Sequence, residues 1–191
     1  MPVTIGVKPS PSFADPMGLL SDCHRRIERF LAVLLKVAEQ ANGGSMTEEQ
    51  SRAWQQALEY FRNAAPRHTA DEEESLFPRL RSLDDAGLRN ALVEMQKLEA
   101  DHDQATEWHE LVDQLGSKWI AQGSLTKDEH RVIKQALLKL EELYTRHIRF
   151  EDKNLFPLAE GALTAPEKAD IGAEMAQRRG LNRTFVGSVL A

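Results

Sequence analysis

A duplicated motif constrains this sequence more than any other feature. The segment HTADEEESLFP, from His68 to Pro78, is echoed by HIRFEDKNLFP, from His147 to Pro157, 79 residues later (147 − 68). Both segments contain a His-x-x-x-Glu pair and end in Leu-Phe-Pro. On a helix, side chains four residues apart lie on the same face, so each copy directs an imidazole and a carboxylate to one point. Each copy is therefore a candidate two-ligand clamp for a divalent metal ion.

The repeat extends upstream of each clamp. Leu-Ser-Asp-Cys-His, ending at His24, aligns with Leu-Glu-Ala-Asp-His, ending at His102, 78 residues later (102 − 24). Because the two offsets differ by one residue, the chain reads as two copies of a helix-loop-helix unit. Each copy carries one lone histidine and one clamp. The candidate metal ligands are His24, His68, Glu72, His102, His147 and Glu151.

Length and composition indicate the class of protein. A chain of 191 residues with 41% hydrophobic and 28% charged residues fits one globular domain with a substantial core. The net charge of −6, with scattered basic residues, argues against a nucleic-acid partner. The single cysteine, Cys23, excludes an intramolecular disulfide and favours a cytoplasmic location. The sequence contains no recognisable signal peptide or membrane-spanning run, so we expect no membrane partner.

Apolar residues at three- and four-residue spacing predict four long helices and a shorter fifth one. Asp15 followed by Pro16 marks the start of the first helix. Capping boxes that open the second, fourth and fifth helices begin at Thr47, Thr126 and Thr164. Pro66 should kink the second helix, and a turn at 81–87 should separate the second helix from the third.

These helices predict an all-α, up-down-up-down four-helix bundle with a short fifth helix at the C-terminal end. We expect the domain to span 15–180, with an extended leader at 1–14 and a tail at 181–191. The four candidate histidines lie 19 to 25 residues from the nearer of two loops (43 − 24 and 68 − 43 at the extremes). At about 1.5 Å per residue, that spacing places all four histidines in one layer of the bundle.

One layer of the core would then receive four imidazoles and two carboxylates. Burying unpaired carboxylates is costly, and metal ions would remove that cost. Six N and O ligands exceed the four of a structural zinc site, whereas two ions of higher coordination number, bridged by Glu72 and Glu151, would use them all. We expect a bridging oxide or hydroxide to balance the remaining charge. Such a centre is suited to oxygen or peroxide.

The order of lone His, His-x-x-x-Glu, lone His and His-x-x-x-Glu resembles the hemerythrin-like HHE cation-binding family. The resemblance covers 15–180, and the fifth helix, with Glu174 and the run Arg178-Arg179-Gly180, is also similar to the end of such domains. It implies two non-haem iron ions. The ligands that it implies are His24 and His68 for one iron, His102 and His147 for the other, and Glu72 and Glu151 as bridges.

Two departures from the family's oxygen carriers concern the role of the protein. Those carriers have a further histidine four residues after the one on the third helix, where this chain has Thr106. Their last carboxylate is an Asp five residues beyond its histidine, whereas Glu151 lies four beyond His147. Family members that repair iron–sulfur clusters usually carry an N-terminal cysteine-bearing domain and an extra site histidine, and we expect neither here. The resemblance is therefore more specific for fold and metal than for role.

The favoured function is binding or sensing of O2, peroxide or nitric oxide at a di-iron centre, in a monomer or homodimer. The alternative is a di-iron oxidoreductase that reduces peroxide, or an iron donor in iron–sulfur cluster repair. A third interpretation is a bundle that uses metal mainly for folding. No flavin, nicotinamide or cluster motif is present to deliver electrons, which favours binding, and whether the protein is an enzyme stays open.

Other polar residues on the site helices have more than one interpretation. Glu28, four residues after His24, is either a seventh ligand or a supporting residue, with support as the default. We expect His109 to be a hydrogen-bonded core histidine and His130 to lie on the surface. Tyr144 either offers its hydroxyl to the site or simply packs. The residues expected to form a solvated face are Glu73, Glu74, Asp152 and Lys153.

Overall fold

A computed structural model describes residues 12–83 and 89–181. Within these residues every regular element is helical. The α-helices are α1 (Pro16–Ala41), α2 (Glu48–Asn63), α3 (Ala65–Ala70), α4 (Phe77–Ser82), α5 (Arg89–Gln122), α6 (Lys127–Phe150), α7 (Phe156–Ala162) and α8 (Ala165–Arg178). A first π turn, Asp71–Leu76, joins α3 to α4, and a second π turn, Glu151–Leu155, joins α6 to α7.

These elements combine into five helical segments. α1 is the first segment, α2 to α4 form the second, α5 is the third, α6 and α7 form the fourth, and α8 is the fifth. α1 packs against α2 and α6, and α5 packs against the same two helices, so the four long segments close into a ring. The predicted all-α bundle with a short fifth helix is confirmed. Of the helices that the structure describes, none is long and apolar enough to cross a membrane.

The predicted helix starts have the expected caps. The Asp15 carboxylate accepts a hydrogen bond from the Gly18 amide at 2.9 Å. Reciprocal capping boxes are formed at Thr47, Thr126 and Thr164. Most of the predicted leader (1–11), most of the predicted tail (182–191) and residues 84–87 of the predicted turn lie outside the described residues. The prediction of a turn is wrong for residues 81 and 82, which are helical and end α4.

The second helical segment is interrupted near Pro66, as predicted. α2 ends at Asn63, and Pro66 lies in the first turn of α3, where its missing N–H is not needed. The two π turns were not predicted, because apolar spacing does not distinguish a π turn inside an α-helix. Each π turn begins at the glutamate of a clamp or one residue before it. A π turn changes the phase of the helix that follows, and such turns are frequent at functional sites.

Two apolar clusters fill the interior of the bundle. The larger cluster includes the fully buried side chains of Trp54, Trp119 and Leu137. The other includes Leu20 and Phe77 and extends to α8. Along the long helices, the candidate ligands lie between the residues of these two clusters. Apolar packing on both sides therefore separates the ligand layer from water, which strengthens electrostatic interactions within it.

Candidate metal centre

All six candidate ligands converge in one buried layer. They are His24 on α1, His68 on α3, His102 on α5, His147 on α6, Glu72 in the first π turn and Glu151 in the second. Their ligand atoms form two groups of four, and within a group all the atoms lie within 4.8 Å of one another. The first group is His24, His68, Glu72 and Glu151, and the second is Glu72, His102, His147 and Glu151. Both carboxylates belong to both groups.

Glu72 presents a different oxygen to each histidine pair. Its Oε1 atom lies 3.4 Å from His68 Nε2 and 3.8 Å from His24 Nε2. Its Oε2 atom lies 3.4 Å from His102 Nε2. The two oxygens of Glu72 therefore face different histidine pairs.

Glu151 also reaches a histidine from each pair, but through a single oxygen. Its Oε2 atom lies 3.1 Å from His24 Nε2 and 3.2 Å from His147 Nε2. The Nε2 atom of every candidate histidine thus lies near at least one of the two carboxylates.

These buried carboxylates lack conventional hydrogen bonds. Both oxygens of Glu72 and of Glu151 are buried without a hydrogen-bond partner, as are His24 Nε2 and His68 Nδ1. The 3.1 Å approach of His24 Nε2 to Glu151 is short enough for a hydrogen bond but does not have the geometry of one. Unpaired buried carboxylates are costly, and in folded proteins such groups are paired or coordinate metal ions. The donor set therefore fits divalent metal ions.

Three of the histidines also contact carboxylates outside the ligand groups. These contacts are made by Nδ1, the ring nitrogen that does not face the centre. The pairs are Asp152 Oδ1 with His24 Nδ1 at 2.9 Å, Glu73 Oε1 with His102 Nδ1 at 2.7 Å, and Asp101 Oδ2 with His147 Nδ1 at 3.4 Å. A carboxylate at Nδ1 holds the ring proton there and leaves Nε2 available to a metal ion. These contacts fix both the tautomer and the orientation of the rings.

The predicted solvated face is therefore wrong for Glu73 and Asp152. Each residue follows a clamp glutamate within a π turn, and the altered helix phase places its side chain against a neighbouring helix. Glu74 does lie at the surface, where it pairs with Arg178 at 3.1 Å, and Lys153 is exposed. Asp101 was missed altogether, since its position beside His102 gives no signal that it contacts the histidine of another helix.

Burial and carboxylate contacts act in opposite directions on the histidines. Burial lowers the pKa of His24, but the hydrogen bond to Asp152 and the nearby carboxylates of Glu151 and Glu72 outweigh burial and raise it well above its usual value. At His102 burial again lowers the pKa, but the nearby Glu72 carboxylate and the hydrogen bond to Glu73 outweigh burial, and the pKa rises to about 10. At His68, which has no carboxylate at Nδ1, burial dominates and the pKa falls to about 4.

The two glutamates remain ionised. Burial raises the pKa of Glu72, but the surrounding histidines lower it by a larger amount. The pKa of Glu72 therefore lies well below its usual value. At Glu151 burial and the neighbouring Glu72 carboxylate both raise the pKa, and the histidines again outweigh them. Both carboxylates are therefore available to cations at neutral pH.

Two arginines at the end of α8 hold the first π turn. Asp71, the residue before Glu72, is fully buried. Its Oδ1 atom accepts a hydrogen bond from Arg178 Nη1 at 3.0 Å, and its Oδ2 atom accepts one from Arg179 Nη2 at 2.6 Å. Arg178 also donates to Ser75 Oγ at 2.8 Å. The fifth helix thus fixes the backbone that carries Glu72.

Two expectations for residues around the centre are wrong. Glu28 is neither a ligand nor a support, because its side chain is 47% exposed and pairs with Arg25. His130 is half-buried and not at the surface: its Nε2 atom lies 2.9 Å from the Ala38 carbonyl oxygen, and its ring packs against Trp119. The packing of α6 on α1 and α5 covers this side of His130, which its spacing along α6 did not indicate.

The prediction for His109 is confirmed. Its Nε2 atom lies 2.9 Å from the hydroxyl of Tyr144, and burial lowers its pKa to about 4. His109 is half-buried, whereas Tyr144 is buried, and the ring centroid of Tyr144 lies 6.5 Å from that of His147. The Tyr144 hydroxyl is therefore directed to His109.

An open cavity lies beside the ligand layer. This outer cavity has a volume of about 410 Å³. Apolar residues in its wall include Leu58, Phe61, Ala65, Ala105 and Val112. A much smaller inner chamber of about 10 Å³ is lined by His68, His102 and His147. Ala65, Thr69, His102 and Tyr144 line both spaces, so the two are adjacent.

Comparison with known proteins agrees with this geometry. The family model described as Hemerythrin HHE cation binding domain matches residues 15–159, more than half of the chain. A protein of Haemophilus influenzae (strain ATCC 51907 / DSM 11121 / KW20 / Rd), described as an uncharacterized protein, is 26% identical over 166 residues, which cover 86% of this chain and 90% of that protein. The family match and the convergent His and Glu residues indicate metal binding. The chain belongs to the hemerythrin HHE cation binding domain family.

Proposed function

We propose that the protein holds a non-haem di-iron centre and uses it to bind or sense O2, peroxide or nitric oxide. The observation that carries the proposal is the pair of four-residue groups that share both Glu72 and Glu151. A single group would serve one ion, whereas two groups that share their carboxylates serve two ions side by side. Imidazole and carboxylate donors in combination suit iron.

The proposed assignment follows the two groups. His24 and His68 would hold one ion, His102 and His147 the other, and Glu72 and Glu151 would bridge them. Two divalent ions carry more positive charge than two carboxylates neutralise, so we expect an oxide or hydroxide bridge. Two imidazoles and two shared carboxylates leave each ion short of the six donors of an octahedral site. Iron, when bound, would supply electrons and open coordination positions.

The chain's own residues would orient the ligands and exclude water. Asp152, Glu73 and Asp101 hold the ring protons at Nδ1, and so aim three Nε2 atoms at the centre. The two apolar clusters seal the ends of the layer. The inner chamber has room for about one water-sized group. This size supports O2, peroxide or nitric oxide as the group that reaches the centre.

The outer cavity favours a second candidate function, peroxide reduction by a di-iron oxidoreductase. A centre that only binds a diatomic gas does not need a wide approach, whereas a cavity of about 410 Å³ gives a substrate access from solvent. A cytoplasmic location, a monomeric or homodimeric state and the domain limits at 15 and 180 stay predictions from the sequence.

The test is the metal content of protein produced with iron, followed by absorption spectra of the anaerobically reduced protein before and after exposure to air. We expect about two irons per chain and near-ultraviolet bands of an oxo bridge after air. Reversal of the bands when oxygen is removed would favour binding or sensing. Repeated turnover of peroxide with an added reductant would favour the oxidoreductase. A protein that binds no iron, or one zinc with a featureless spectrum, would contradict the proposal.

A further inference from the structure

We propose that the physiological ligand of the centre is an organic hydroperoxide, with its apolar part in the outer cavity and its peroxide end in the inner chamber. The inference rests on the proposed function, because it requires a reducible group to meet a reduced di-iron centre. It adds a substrate class, an uncharged molecule of general form ROOH, to that function.

The volume of the outer cavity points to a ligand larger than a gas molecule. Its 410 Å³ lies within the range of about 300 to 1,000 Å³ that small-molecule sites occupy. O2, nitric oxide and hydrogen peroxide are each comparable in size to a water molecule, which takes about 30 Å³. The outer cavity is open to solvent and adjoins the inner chamber beside the ligand layer, so a molecule larger than a gas can approach the centre through it.

The wall of the outer cavity selects for an apolar, uncharged group. Leu58, Phe61 and Val112 supply aliphatic and aromatic surface. The Arg62 guanidinium is held by Asp113, with Nε 2.6 Å from Oδ1, and so its charge is already balanced. Glu110 adds a negative charge to the lining, which disfavours anionic ligands such as fatty acids.

The junction of the two spaces fits the peroxide end of the ligand. Ala65 and Thr69 form part of the walls of both spaces, together with His102 and Tyr144. The inner chamber is large enough for about one water-sized group, such as a terminal OH, and too small for a hydrocarbon group. A hydroperoxide that enters head first would therefore place its O–O bond beside the candidate histidines and leave its R group outside.

The reaction balances with two ferrous ions as the reductant. The O–O bond would break as the hydroperoxide takes up two electrons, one from each ferrous ion, and two protons supplied by the buffer. The products are one alcohol, ROH, one water molecule and two ferric ions. An external reductant would then return the ferric ions to the ferrous state.

The first arm of the test measures reaction selectivity. Iron-loaded, anaerobically reduced protein is mixed with cumene hydroperoxide or with hydrogen peroxide, and the rate of appearance of the near-ultraviolet bands is recorded. We expect the parent protein to react faster with cumene hydroperoxide. Thr106→Trp, on the wall of the outer cavity, should fill the space and so lower the ratio of the rate with cumene hydroperoxide to the rate with hydrogen peroxide about tenfold. Ala105→Leu, a smaller change in the same wall, should lower it less.

The chain offers a matched control for the tryptophan variant. Thr106 and Thr145 are both exposed helix residues whose hydroxyls donate to the carbonyl four residues earlier, at 2.9 Å and 2.7 Å. Thr145 is not among the residues that line either space. Thr145→Trp should therefore keep the parent's rate ratio, and an equal fall in both variants would overturn the inference.

The second arm measures binding without reaction. Calorimetric titration of the air-oxidised, iron-loaded protein with 2-phenylpropan-2-ol, the alcohol product, should detect binding that Thr106→Trp weakens and Thr145→Trp preserves. A parent protein that prefers hydrogen peroxide and does not bind the alcohol overturns the inference, although its oxo-bridge bands would still support a di-iron centre. Protein that binds no iron overturns the proposed function itself, and with it the reaction inferred here.

Discussion

The two clamps, His68 with Glu72 and His147 with Glu151, have nearly the same sequence but different surroundings. Both lead into a π turn. His147 Nδ1 lies 3.4 Å from a carboxylate of Asp101, whereas His68 Nδ1 is buried without a hydrogen-bond partner. The first π turn is anchored to α8, and the second is anchored to α1. The repeat therefore specifies matching ligands, while the helices packed around each copy give them unequal support.

This difference predicts that the two ions are bound with unequal affinity. The pair His102 and His147 has a carboxylate at both Nδ1 atoms, and the pair His24 and His68 has one at only one of them. A carboxylate at Nδ1 orients a metal-binding histidine and makes it a stronger donor. We expect the ion at His24 and His68 to be held more weakly, and iron to load in two steps.

The largest expected effect is loss of both ions when a shared carboxylate is removed. Glu72→Ala and Glu151→Ala should each reduce bound iron far below the parent value, because each glutamate belongs to both groups. His68→Ala should spare more iron than either, because His68 belongs to one group only. Metal analysis of purified protein measures all three. His130→Ala, away from the ligand layer, is the control, and equal iron in all four variants would rule out the proposed ligands.

Removing the anchor of the first π turn should produce the next largest effect. Asp71→Ala leaves two partly buried arginines without their partner, and breaking a buried ion pair costs about 3 to 5 kcal/mol. Asp71 is fully buried while its arginine partners are about one-fifth exposed, so we expect a loss near the lower end, about 3 kcal/mol, in urea unfolding of the iron-loaded protein.

The control for Asp71 is an aspartate paired with an arginine at the surface. Asp22 lies 3.3 Å from Arg26, and both side chains are about half exposed. Asp22→Ala should change the free energy of unfolding by less than about 1 kcal/mol. If both variants lose the same amount of stability, α8 does not anchor the first π turn.

A smaller effect is expected when the support of the second clamp is removed. Asp101→Asn should weaken binding of the more tightly held ion about tenfold, because the amide orients His147 less strongly than the carboxylate. The two loading steps should then move closer together in a titration of iron against a chelator. Asp103→Asn, an exposed aspartate on the same helix, should leave the titration unchanged. A parent titration with one step would contradict the inequality of the two ions.

The smallest effect is expected at a third His-x-x-x-Glu pair, His24 with Glu28. It has the spacing of a clamp, but it lies within α1 with no π turn, and the Glu28 side chain is exposed. Glu28→Ala should leave iron content at the parent value and change stability by less than about 0.5 kcal/mol. Loss of iron in this variant would show that the spacing alone creates a ligand.

Local sequence was sufficient to predict the bundle and the convergence of the six candidate ligands. Periodic apolar residues and three threonine capping boxes define the helices, because both depend on residues within about one turn of each other. The repeat then brings the ligands together, since equal distances from the loops place His24, His68, His102 and His147 in one layer.

Only the tertiary structure decided how that layer is supported. Asp152 contacts His24, which is 128 residues away in the sequence, and Arg178 contacts Asp71, which is 107 residues away. No local sequence pattern therefore predicts either pair. The π turns depend on how the helices pack. They direct the side chains of Glu73 and Asp152 to the histidines, although the sequence predicted that both face solvent. The outer cavity and inner chamber likewise exist between helices. Residue spacing thus determined which side chains meet, and long-range packing determined which of them are held, oriented and open to a ligand.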